Sequence, residues 1–96
     1  WVNVQAADLM RFKAAALFDA GKPCGAEANM AKLLAADASW EAGNVAIQTH
    51  GGFGFAAEYD IERKFRETRL YQVAPISTNL ILSYIGEHVL GMPRSF

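Results

Sequence analysis

The apolar positions of this chain recur at helical rather than strand spacing almost throughout. From Val2 to about Ala20, Leu9, Phe12 and Ala16 recur three and four residues apart, with Met10, Ala14 and Leu17 beside them. Gly21 and Pro23 then stop the helix, because glycine accepts a left-handed cap and proline cannot continue the ladder. A second helix is predicted over about Ala26 to Gln48. Its stripe of Met30, Leu33, Trp40 and Ile47 is interrupted by Asp37 and Asn44, while Ala31, Ala35, Ala38, Ala42 and Ala46 form a small-residue stripe for close approach of another helix. Gly51-Gly52-Phe53-Gly54-Phe55, with three glycines in four positions, predicts a tight loop and not a helix. A charged third helix is expected over roughly Glu58 to Gln72, with Ile61, Phe65 and Leu70 inward. Pro75 breaks the chain, since the residue before a proline avoids helical angles. Ser77 or Thr78 then caps a last helix that buries Leu80, Ile81, Tyr84, Ile85, His88 and Val89 and stops at Gly91 and Pro93.

The fold class read from this pattern is all-α: an up-and-down helical bundle of about four helices, forming a single helical domain over residues 1–96. Seventeen alanines reinforce it, alanine being the best helix former. The composition, 52% hydrophobic and 20% charged, is that of a packed domain and excludes a disordered tail. No apolar run approaches the roughly 20 residues of a bilayer span. A net charge of −1 leaves no field for gripping phosphate backbones, so nucleic acid is excluded as the expected partner. Cys24, the single cysteine, has no internal disulfide partner, and no Cys/His cluster offers a metal site. A reducing compartment is expected, the cytoplasm or a mitochondrial matrix. A chain of this size without a disulfide or metal is marginal alone, which points to an oligomer or to a piece of a larger protein.

Four features bear on chemistry. Gln48-Thr49-His50-Gly51-Gly52 joins a helix end to a glycine turn whose bare backbone a ligand can approach and whose N–H groups can cradle an anion; a plain helix–helix turn is the alternative. Pro75-Ile76-Ser77-Thr78-Asn79 is a break followed by a hydroxyl-rich helix start, suited to phosphate or sugar oxygens, or to simple capping. The run Glu58, Asp60, Glu62, Arg63, Lys64, Arg66, Glu67 and Arg69 reads as a solvated face laced with ion pairs. His50 and His88 lie too far from other ligating groups for a metal, and His88 is expected in the core or an interface. Neither Cys24 nor Ser77 has a base beside it in sequence.

The spacing from Gln48 onward is more specific than the glycines alone. It reads Gln-x-x-Gly-Gly-x-Gly-Phe, then Glu58, Arg63 and Glu67 with two, four and three residues between. This string resembles the C-terminal signature of the acyl-CoA dehydrogenases, and the flanks agree, from the Ala-rich helix before it to His88-x-Leu90-Gly91 at the end. The resemblance implies the C-terminal helical domain of an FAD-dependent flavoenzyme, forming dimers or tetramers, that removes hydrogens from the α and β carbons of an acyl-CoA and passes electrons to an acceptor. It implies that Gln48, Thr49, His50, Gly51 and Gly52 meet the ADP half of an FAD held mainly by a neighbouring subunit, that Ser77 and Asn79 also contact the flavin nucleotide, and that the two helix ends converge on its diphosphate.

One departure stands out. Where many relatives carry a glutamate base before Thr-Ser, this chain has Pro75, which has no ionisable group. No catalytic residue is therefore assigned. Two readings follow: a domain of a flavoenzyme, inactive alone, whose base lies elsewhere, or a non-catalytic helical assembly module derived from that family.

Overall fold

The computed structural model describes residues 1–94, and among them there is no strand. Four α-helices follow in order: α1 (Val2–Asp19), α2 (Gly25–His50), α3 (Ile61–Val73) and α4 (Thr78–Tyr84). The all-α expectation holds, and the turns fall where glycine and proline place them.

The longest helix, α2, is the axis of the molecule. Helix α1 lies antiparallel along it: Lys13 Nζ pairs with Glu27 Oε1 at 3.2 Å near one end, and Asn3 Nδ2 donates to Glu41 Oε2 at 3.4 Å towards the other. Helix α3 is antiparallel to α2 on another side. There Trp40 and Phe65 stack with centroids 4.9 Å apart, Arg69 lies over the Trp40 ring, and Gln72 donates to Asp37 at 2.9 Å. The Trp40–Ile47 stripe therefore serves α3. Asp37, which interrupts that stripe in sequence, is used as a hydrogen-bond acceptor at its edge. The alanine stripe serves α1: Val4 and Ala7 line one groove with Ala31 and Ala35, and Trp1, Val2 and Val4 line another with Ala38 and Ala42.

Four expectations are corrected. In α1 the side turned to α2 carries Ala7, Met10, Ala14 and Leu17, whereas Leu9 and Phe12 are 73% and 60% exposed. The segment Gly51–Phe55 is a 3-10 helix rather than an irregular loop, since that tighter winding needs no side chain and suits short turns. Helix α3 begins at Ile61, because Asp60 sits in the left-handed region at φ 60° and separates a short 3-10 turn, Ala57–Tyr59, from it; Leu70 faces solvent. In the last helix Ile81 is 1% exposed and Tyr84 and Ile85 are half-buried, but Leu80, His88 and Val89 are exposed. Its α-geometry gives way at Ile85 to a π-turn over Ile85–Val89. The N-cap is Ser77, whose Oγ accepts from the Leu80 N–H at 3.3 Å.

Helices α1 and α3 both run antiparallel to α2, α4 continues along α2 in the direction of α3, and the set fans out around α2 without closing. The molecule measures 46 × 32 × 21 Å, so its thin dimension is about two helix diameters. A groove floored by Ala31, Ala35 and Ala36 of α2 runs between α1 and the end of α3.

Candidate functional site

The last turn of α2 carries Gln48, Thr49 and His50, all exposed. Thr49 Oγ1 donates to the Val45 carbonyl and His50 Nδ1 donates to the Ala46 carbonyl, each at 2.8 Å. Because a carbonyl only accepts, Nδ1 holds the proton, and in the neutral ring Nε2 is left as an acceptor. Gly51 then turns the chain at φ 56°, a conformation natural to glycine, with its N–H returned to the Gln48 carbonyl. A Cβ placed on Gly51 or Gly52 would meet nothing within 4 Å, so the backbone here lies bare. Gly54 is different: a Cβ there would lie 3.0 Å from the Ile47 carbonyl oxygen, and the 3-10 helix is seated on α2 through it.

Three rings bracket the glycine pair. His50, before it, lies edge-on to Tyr59 with centroids 6.3 Å apart; Phe53, after it, lies 5.3 Å from the same ring. Next to Tyr59, the Asp60 carboxylate accepts from Arg63 Nε at 2.6 Å and from Arg63 Nη2, while Arg63 Nη1 donates to Glu67. The hydrogen bond from Arg63 holds both the Asp60 and Glu67 carboxyls below their ordinary range, and the two carboxylates push the guanidinium pKa up in return. Glu62 and Arg66 make the expected pair four residues apart, at 2.8 Å. Sequence reasoning passed over Tyr59, which sits inside a charged run. The signal available was the spacing of aromatic residues at 53, 55 and 59 around the glycines.

Ser77 and Asn79 lie elsewhere. Pro75 lines the groove with Lys32, Ala35, Ala36 and Ser39, near the middle of α2, and α4 runs on from there until Tyr84 reaches Gly25. At about 1.5 Å of rise per residue, the stretch of α2 between Ala36 and His50 separates the two sets by on the order of 20 Å. The expected convergence on one diphosphate does not occur within one chain. Gln48 to Gly51 is the C-terminal end of α2, whose dipole disfavours anions, so only hydrogen bonds from the turn's own groups would hold one. No cluster of metal-ligating side chains is found among the described residues, and none of their helices is long and apolar enough to cross a membrane. His88 stands exposed beside Tyr84, with centroids 4.7 Å apart, rather than in the core.

An antiparallel set of helices, carrying a bare glycine turn at the end of its longest member, defines an all-α helical domain. The chain belongs to the acyl-CoA dehydrogenase family: residues 1–90 match the family described as acyl-CoA dehydrogenase, C-terminal domain. It is 42% identical to acyl-CoA dehydrogenase FadE12 of Mycobacterium tuberculosis, with 99% of this chain and 25% of that protein covered. It is 40% identical to (2S)-methylsuccinyl-CoA dehydrogenase of Cereibacter sphaeroides, over 93% of this chain and 16% of that protein. The structure of butyryl-CoA dehydrogenase from Megasphaera elsdenii superimposes with a TM-score of 0.85 at 29% identity, over 93% of this chain and 23% of that one. The chain spans about a quarter of the length of the FadE12 relative. Members of this family are FAD-dependent. The open backbone at Gly51 and Gly52 fits such a nucleotide, since it leaves room for a group to approach the main chain directly.

Proposed function

We propose that this chain is the C-terminal helical domain of an FAD-dependent acyl-CoA dehydrogenase that acts on acyl-CoA thioesters, and that it supplies contacts to FAD and to the subunit interface. The single observation that carries this reading is the glycine pair at the end of α2, bare on its outer side and set in the family's Gln-x-x-Gly-Gly spacing. In this reading Gln48, Thr49, His50, Gly51 and Gly52 meet the ADP half of the cofactor: Gly51 and Gly52 give access to the main chain, and His50 offers Nε2. Ser77, whose Oγ accepts from Leu80 and keeps its own proton to donate, and exposed Asn79 contact flavin nucleotide at the other locus. The separation of the two loci along α2 supports an assembly of two or four copies, in which each FAD is met by residues of more than one subunit. Bound there, FAD would supply the hydride-accepting chemistry for the β hydrogen of the substrate.

The base that removes the α proton is not assigned to this chain. Pro75 cannot take a proton, and the groove beside it is lined by Lys32, Ala35, Ala36, Ser39, Tyr71 and Ala74, with no carboxylate. The carboxylate then comes from another part of the protein, and this chain alone is inactive. The same observation favours the second reading, a non-catalytic assembly module, in which the glycine turn serves only packing.

The test is the variant Gly52→Val in the full-length protein. A Cβ at position 52 meets open space, so folding is expected to be unaffected, while a branched side chain would stand where the nucleotide approaches. Purified variant with a markedly lower flavin-to-protein ratio supports the first reading. An unchanged ratio rejects the role given to the turn.

A further inference from the structure

Gly51-Gly52, the one Gly-Gly pair of the sequence, is flanked on both sides by rings that touch one third ring. His50 immediately precedes the pair and Phe53 immediately follows it; both meet Tyr59, at centroid distances of 6.3 and 5.3 Å. Tyr59 itself is fixed from its C-terminal side. Its neighbour Asp60 adopts φ 60°, uncommon for a residue with a side chain, and Arg63 grips the Asp60 carboxylate through both Nε and Nη2 while also binding Glu67 on the next turn of α3. A continuous set of contacts thus leads from α3 through Arg63, Asp60 and Tyr59 to both ends of the glycine pair. Gly54, seated on the Ile47 carbonyl, anchors the far side of the turn.

We propose that Tyr59 is a positioning residue for the glycine turn: its ring, bridging His50 and Phe53, holds Gly51-Gly52 in the conformation that receives the nucleotide before the nucleotide arrives. The effect on binding rests on the proposed function of that turn, whereas the effect on its order does not. Ordering backbone on binding costs affinity, so a turn ordered in advance binds with about a tenfold advantage over one that must be ordered on binding. The ring contacts and not the hydroxyl carry the effect, so phenylalanine should substitute and leucine should not.

The experiment uses the full-length protein, stripped of flavin and then titrated with FAD, as wild type, Tyr59→Leu, Tyr59→Phe and Gly52→Val. Tyr59 is half-exposed, and the thermal midpoint of the flavin-free Tyr59→Leu variant should stay near that of wild type. Amide hydrogen exchange across residues 50–53 of the flavin-free protein should speed up roughly tenfold in Tyr59→Leu, with FAD affinity lowered by about the same factor. Tyr59→Phe should match wild type in both. Unchanged exchange in Tyr59→Leu overturns the proposal, as does faster exchange with unchanged FAD affinity while Gly52→Val loses flavin. If Gly52→Val keeps full affinity, the cofactor role of the turn fails, whatever Tyr59 does to its order.

Discussion

Gly43 and Gly52 are both glycines of a helical region, and they answer opposite demands. Gly43 is buried where α3 crosses α2: a Cβ there would lie 2.6 Å from Thr68 Oγ1, and that hydroxyl donates to the Phe65 carbonyl at 2.9 Å, so it cannot swing away without losing a bond. Alanine gains up to about 1 kcal/mol of helix propensity over glycine. Overpacking a close helix contact costs about 1–3 kcal/mol, so the clash wins. Gly43→Ala is expected to lower stability by up to about 2 kcal/mol in urea unfolding, and the added change Thr68→Ala should recover most of it. No loss in Gly43→Ala would mean that α2 and α3 are not in close contact there. The glycine-rich string singled out Gly52 in the sequence, but nothing there marked Gly43, whose role is set by a neighbour across space.

At the scale of the helices, the breaks and the two stripes of α2 were legible, but not the inward face of α1 or the start of α3. Gly21, Pro23 and Pro75 act through backbone geometry, which depends on the residue alone, and the breaks fall beside them. In α1 both Leu9–Phe12 and Met10–Leu17 are apolar; the choice between them is made by the small residue Ala7, which lets α1 settle on the alanine stripe of α2. The start of α3 was misplaced by three residues because Asp60 takes a left-handed turn stabilised by Arg63, a pairing that a list of charges does not reveal.

That pairing has a pH signature. Asp60 and Glu67 ionise below their ordinary values of 3.8 and 4.5 because Arg63 hydrogen-bonds to them. Groups whose folded pKa is depressed stabilise the fold above the unfolded pKa and lose that contribution as pH falls through the folded value. Stability from this cluster should therefore be constant from neutrality down to about pH 5 and decline below about pH 4. In Arg63→Met the thermal midpoint should fall at neutral pH and show a shallower further decline below about pH 4. An acid limb identical to wild type would show that the cluster contributes nothing to the folded state.

For the whole molecule, the decisive property is how little of it is buried. Among the described residues the apolar core is small, Ile81 with Ala7, Ala36 and Ala38, while Trp1, Phe12, Phe18 and Leu90 face outward. A small core was legible in the chain's size, and the family string from Gln48 to Glu67 located the glycine turn at the end of α2. It did not show that Ser77 and Asn79 lie on the order of 20 Å from that turn, because the antiparallel path of α3 carries the chain back along α2. Under the proposed function, a domain with open apolar faces and two separated nucleotide contacts belongs inside a larger, multi-copy assembly. Native mass spectrometry of the full-length protein measures this directly, giving copy number and retained flavin together. The account predicts an assembly of two or four copies carrying FAD. A flavin-free monomer, unable to take up added FAD, would contradict it.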